Sequence, residues 1–205
     1  TFTDRSDRGF GVANAGQAFY VNDGSTAGDE YTTAVGDNAN SGKSPNAPMG
    51  SLAALLRAYD LNAGDVVYVD TGTYSLATNI VLGVQDSGVT IRGAVQPGNA
   101  TVLNRGNTNT GAYVFDLQGA DDVRLEHLTI TGAQYGVFAD NGADADRLAV
   151  TDSDIFRNSA GGVRMLGTND ETLIADSRIA LNGSTGVLLQ GADVRVERNE
   201  VSRNN

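Results

Sequence analysis

The sequence predicts an all-β solenoid, and three observations carry that prediction. Leu128-Thr129-Ile130, Ser153-Asp154-Ile155, Ser177-Arg178-Ile179 and Asn199-Glu200-Val201 repeat one pattern at spacings of 25, 24 and 22 residues. A period in the twenties, built from short β-type apolar runs, belongs to a chain that adds one coil per repeat. Asn158, Asn182 and Asn204 each follow the aliphatic member by three residues. An asparagine at that place caps backbone groups in a turn and tolerates the left-handed conformation. Finally, 26 Gly against only 3 Pro in 205 residues describes short strands separated by turns.

Taken in order, residues 1–18 are polar and glycine-rich and read as an extended lead-in. Phe19-Tyr20-Val21 is a short apolar strand, and residues 22–48 form a polar loop long enough to be functional or a structured covering. The only convincing helix runs from Ser51 to Leu61. Ser51 is its N-cap, and Leu52, Leu55, Leu56 and Tyr59 fall on one apolar stripe. Ahead of a run of strands, such a helix suits the role of lid over the solenoid's open end, where unpaired backbone and core would otherwise meet water. Strands follow at Val66–Asp70, Asn79–Leu82, Val89–Arg92 and Ala100–Leu103, with Gly72, Gly83, Gly88, Gly93 and Pro97-Gly98 between them. From Tyr113 each repeat has a first strand (113–117, 135–139, 162–166, 186–189), a turn, and the segment of the ladder. The chain thus divides into 1–62, lead-in, loop and capping helix, and 63–205, the coils, which are expected to continue in a longer protein.

Fourteen Lys and Arg against 25 Asp and Glu give a net charge of −11. That disfavours nucleic acid and anionic membranes as partners and leaves neutral glycans, cations or proteins. With no cysteine and a single histidine, thiolate and multi-histidine metal sites are excluded from this chain. No apolar run is long enough for membrane insertion.

The segment Asp37-Asn38-Ala39-Asn40-Ser41-Gly42-Lys43-Ser44-Pro45 leading into Ser51-Leu52, then Ala63-Gly64-Asp65 before Val66-Val67-Tyr68-Val69 and Gly72-Thr73-Tyr74, resembles the N-terminal region of bacterial pectin-lyase-like proteins. The later asparagine-bearing repeats resemble that superfamily's parallel β-helix repeat. The resemblance implies a right-handed parallel β-helix with one N-terminal capping α-helix. It does not choose among lyases, hydrolases, C5-epimerases and non-catalytic surface proteins.

Setting Leu128, Ser153, Ser177 and Asn199 in register places His127, Asp152, Asp176 and Arg198 in one column. Thr129, Asp154, Arg178 and Glu200 form a second. Neighbouring coils lie about 4.8 Å apart, so members of a column touch. With Leu125, Ile130, Val150, Ile155, Ile179 and Val201 inward, both columns face out. The catalytic candidates are His127, Asp152, Asp176 and Arg178. Asp152 would orient His127 as a base, crowded carboxylates would divide acid and base roles, and Arg178 would meet a uronate carboxylate or an enolate. Asp152 and Asp176 are also the candidates for Ca²⁺, which prefers oxygen ligands. Asp154, Arg164 and Arg198 complete a polysaccharide-binding surface. The register of the first strand is ambiguous: aligning Val114 with Val137, Val163 and Val187 exposes Phe115 and Phe138, whereas aligning the glycines exposes Asp116 and Ala139. Arg164 and Leu188 are exposed either way.

The plainer reading of Asp154, Arg178 and Glu200 is a solvated ladder of alternating charge, worth about 0–1 kcal/mol per pair. The function expected is therefore a β-helix module of a larger extracellular or cell-surface bacterial protein, offering a surface to glycans or proteins. The alternatives are a polysaccharide lyase or C5-epimerase acting on uronate glycans, and a structural spacer.

Overall fold

The computed structural model of the protein describes residues 16–205; the lead-in expected at the N-terminus lies, up to residue 15, outside the described residues. The elements are β1 (Ala18–Val21), α1 (Leu52–Ala58), β2 (Val66–Val69), β3 (Gly72–Ser75), β4 (Ile80–Gly83), β5 (Thr90–Arg92), β6 (Thr101–Asn104), β7 (Tyr113–Gln118), β8 (Arg124–Glu126) and β9 (Leu128–Thr131). They continue with β10 (Tyr135–Ala139), β11 (Ala149–Thr151), β12 (Asp154–Phe156), β13 (Gly161–Met165), β14 (Leu173–Ala175), β15 (Arg178–Ala180), β16 (Thr185–Leu189), β17 (Arg195–Glu197) and β18 (Glu200–Ser202).

Every third strand stacks on its predecessor, which makes three parallel sheets. Sheet A is β1-β2-β5-β8-β11-β14-β17, sheet B is β3-β6-β9-β12-β15-β18, and sheet C is β4-β7-β10-β13-β16. Five complete turns result. Period-2 alternation sends one side chain of each short strand inward: Val67, Ile91, Leu125, Val150 and Ile174 in sheet A, and Leu103, Ile130, Ile155 and Ile179 in sheet B, all fully buried. Each contributes roughly 1.5–3 kcal/mol by leaving water. Gly72, read as a turn, instead opens the strand β3, and β1 pairs with β2, so sheet A reaches across the 62/63 boundary.

The corners explain why so polar a chain can coil. Each of the last four coils turns from sheet A to sheet B through a single left-handed residue: His127, Asp152, Asp176 or Arg198, with φ of 51–56°. Asp and His are among the side chains that tolerate this conformation best. A second corner, ahead of sheet A, uses Asp122, Arg147, Glu171 and Asp193, and a third, after sheet B, uses Arg157, Leu181 and Arg203. The repeated asparagines do not occupy the left-handed position; the residue before each one does. Their work is capping between coils. Asn182 Oδ1 accepts from the Asn158 backbone N–H (3.1 Å), Asn204 Oδ1 from that of Asn182 (3.0 Å), and Asn158 Oδ1 from that of Ala133 (3.0 Å). Ser153, Ser177 and Asn199 form a parallel ladder at the A–B corner. Asp121, Asp146 and Asp170 do the same before sheet A. Backbone groups that a corner would orphan are thereby paired, coil to coil.

At the N-terminal end α1 begins at Ser51, whose Oγ accepts from Ala54 N–H (3.3 Å), and it buries Leu52 and Leu55. It stops before the Leu61 predicted from the pattern. Tyr59 is extended (φ −127°, ψ 138°), which lays its ring on Phe19 (5.1 Å between centroids) and brings Leu61 into the core. The 22–48 loop is a pinned covering. Buried Asp70 accepts from the N–H groups of Glu30, Tyr31, Thr32 and Thr71 and from the Thr32 hydroxyl, at 2.7–2.9 Å. Tyr68 stands on the outer face of sheet A between Tyr20 (5.7 Å) and Tyr31 (4.8 Å). Burial there pushes the Tyr31 phenol up to about 12.

Candidate functional site

The predicted residues gather at the A–B corner. His127, Asp152 and Asp176 at the left-handed positions, with Thr129, Asp154 and Arg178 on the outer face of sheet B, line a concavity of about 520 Å³ walled by the 94–100 loop. That wall is held from across the molecule. The Glu30 carboxylate accepts from Val95 and Gln96 N–H (both 2.8 Å) and from Asn99 Nδ2 (2.9 Å), while the Tyr31 hydroxyl donates to Gly93 O (2.9 Å).

Inside this groove Asp154, Asp176 and Arg178 are ion-paired. Arg178 reaches both oxygens of Asp154 (2.9 and 3.1 Å) and stands 4.0 Å from Glu200. Arg198 grips Asp176 bidentately (2.7 and 2.6 Å) and holds its carboxyl below the usual carboxylate range. A Ca²⁺ ion shared by Asp152 and Asp176 would compete with that guanidinium. Among the described residues no three His, Asp or Glu side chains are placed to hold a metal, and no hydrogen bond joins the His127 imidazole to Asp152. What the backbone requires at the corner already accounts for His and Asp in this column.

Arg164 is not part of the groove. It stands on sheet C, in an outward column of Val81, Asp116, Phe138, Arg164 and Leu188. Neither first-strand alignment is therefore right throughout: Asp116 faces outward with Phe138, both half-buried. In the column ahead of the inward valines, Val114 faces Gly136, Gly162 and Gly186. A Cβ at those glycines would meet Ile155 (2.8 Å), Ile179 (2.7 Å) or Val201 (3.0 Å) of sheet B.

The sheet C face collects groups that sequence reasoning had scattered. Tyr113 and Phe138 stack at 4.1 Å and 17°, and Tyr135 lies 5.8 Å from Phe138. Arg164 sits over the Tyr135 ring (5.2 Å) and donates to its hydroxyl (2.6 Å). Beside the stack, Asp116, Gln118 and Asp140 with Tyr113 and Phe138 line a concavity of about 510 Å³. Burial first, and the nearby Asp140 charge last, lift the Asp116 carboxyl above the usual range, although Gln118 and Asn79 bond to it. Burial with the charges of Asp116 and Asp140 likewise raises Tyr113.

Residues 111–205 match the family model described as a right-handed β-helix region. Among solved structures the chain is similar to pectate lyase Pel9A, with a TM-score of 0.65 at 16% identity over 88% of this chain. The chain folds as a right-handed parallel β-helix. The match spans 47% of the pectate lyase, so this β-helix has about half the length of that protein. No curated protein sequence matches it.

The architecture states which signals in the β-helix sequence were legible. Corner and sheet B positions repeat with an aliphatic and an asparagine at constant offset, so their columns could be counted. Sheet C repeats only a Gly-Val pair, and Val114 in the glycine column hid the register. Tyr113 and Tyr135, 22 residues apart and paired in the sheet, were the signal that would have found it.

Proposed function

We propose that this β-helix is a glycan-contacting module and that the outer face of sheet C is the contacting surface. One observation carries the reading: a partly exposed aromatic stack, Tyr113 on Phe138, borders a concavity that presents Asp116, Gln118 and Asp140. Aromatic rings pack against the C–H faces of sugars, and carboxylates and amides hold their hydroxyls. The paired charges of the A–B corner suit a solvated flank of such a module. An extracellular or cell-surface location, and a bacterial source, belong to the same reading.

The test is affinity electrophoresis of the chain against neutral and uronate polysaccharides, with pectate first because of the structural neighbour. Retardation that Phe138→Ala weakens about tenfold, as loss of an aromatic contact predicts, and Asp152→Ala leaves unchanged is expected; equal retardation of both variants, or none by any glycan, removes the proposal. A lyase or epimerase is the second reading, favoured by the raised Asp116 carboxyl within the same concavity. Unsaturated ends or changed epimer ratios in the incubated glycans, lost in Asp116→Asn, would replace binding with catalysis.

A further inference from the structure

We propose that the cleft between the capping helix α1 and β4, the first strand of sheet C, binds a small organic carboxylate. The cleft adjoins the sheet C face, sharing Val81 with its outward column, but has no lining residue in common with the concavity beside the aromatic stack or with the A–B corner groove. It encloses about 550 Å³, and its lining combines Ala53, Leu56 and Val81 with Arg57, Arg105 and Asp86. In a chain of net charge −11, two arginines facing one cleft are a local reversal of sign. Among the described residues neither makes an ion pair, which leaves both charges open to a ligand.

The one acid in the cleft is in no position to neutralise them. Asp86 is 1% exposed, and its Oδ2 is taken by Gly83 N–H (2.9 Å) and Gln85 Nε2 (3.0 Å). Burial also lifts its carboxyl above the usual range, which favours the uncharged form. Arg105 is preorganised: Nε donates to Asn79 Oδ1 (3.2 Å) and Nη1 to Leu76 O (3.0 Å). These bonds fix the plane of the guanidinium while its Nη2 makes no hydrogen bond among the described residues. Arg57, exposed on the last turn of α1, supplies the second cation. Planar guanidinium edges match a carboxylate. The three aliphatic side chains suit an organic body, and the anionic field of the rest of the molecule penalises a dianion such as phosphate more than a monoanion.

The chain is titrated with glucuronate, butyrate, glucose and inorganic phosphate, and backbone amide shifts are followed by NMR. Saturable shifts at residues 53–57 and 81–86 with an acid, none with glucose, and at least tenfold weaker binding of phosphate are expected. Glucuronate stronger than butyrate identifies a sugar acid, and the reverse a free organic acid. Arg57→Gln, on an exposed side chain, lowers the affinity about tenfold, as loss of a charge-assisted bond predicts, while Arg124→Gln on sheet A leaves it unchanged. No saturable shift with either acid, phosphate binding as tightly as the acids, or an Arg57→Gln variant that binds like the parent overturns the proposal. So does loss of acid binding in Phe138→Ala, which would move the ligand to the sheet C face and leave the glycan reading to stand alone.

Discussion

The A–B corner and the sheet C face are both rows of outward side chains repeated once per coil, yet they answer to different constraints. At the corner the backbone chooses: His127, Asp152, Asp176 and Arg198 sit at φ of 51–56°, and Asp176 and Arg198 neutralise each other. On sheet C the backbone is ordinary strand and any residue would serve. There Tyr113, Phe138, Asp116 and Arg164 are collected where folding does not demand them. Unforced residue choice at an exposed, concave place is the better pointer to function. A column of acids counted off a repeat is an address first, and its chemistry has to be judged against what the turn itself requires.

Three substitutions test this contrast, from largest effect to smallest. Asn182→Ala should cost about 3 kcal/mol in denaturant unfolding, because it orphans the buried Asn158 N–H and Ile155 C=O groups that its amide serves. A loss below about 1 kcal/mol would mean that the ladder decorates the coil without supporting it. Phe138→Ala should weaken glycan binding about tenfold, toward the upper end of the roughly 0.5–1.5 kcal/mol of aromatic stacking, at little cost in fold since the ring is partly exposed. Arg178→Ala, which breaks an ion pair about two-fifths exposed, should shift stability by only about 0–1 kcal/mol. If Arg178→Ala impairs glycan binding and Phe138→Ala does not, the roles assigned to the two regions are reversed.

How far the fold was legible follows the same division. Asn158, Asn182 and Asn204 repeat because each must reach the coil before it, and a requirement that recurs every coil leaves a period in the sequence. The helix was visible from its stripe, but its end was set by the tertiary contact between Tyr59 and Phe19, which no local pattern announces. The loop-anchoring role of Asp70 is hidden similarly: its partners, Glu30 to Thr32, are some forty residues away. The sheet C cluster stayed illegible because its members alternate between two columns and its register turns on whether Val or Gly fits beneath Ile130 and Ile155.

The last and smallest effect separates the two regions by the sign of their titration. Asp176, bonded by Arg198, has its folded pKa depressed, so its contribution to stability is present above the ordinary value of 3.8 and is lost as pH falls through the lower folded value. Asp116 is shifted the other way by burial. The folded state holds its proton more tightly than the unfolded chain does, so stability is lost as pH rises from 3.8 through the raised folded value. Carbon-13 titration of the two carboxyls should therefore bracket 3.8 from opposite sides. Arg198→Ala should move Asp176 back up toward 3.8 without touching Asp116, whereas Phe138→Ala, by admitting water, should lower Asp116 alone. Because desolvation drives one shift and a guanidinium the other, salt should erode the Asp176 shift and leave most of the Asp116 shift. Two carboxyls that respond to salt alike would mean that the sheet C pocket is as wet as the corner, and the contrast between the regions would fail.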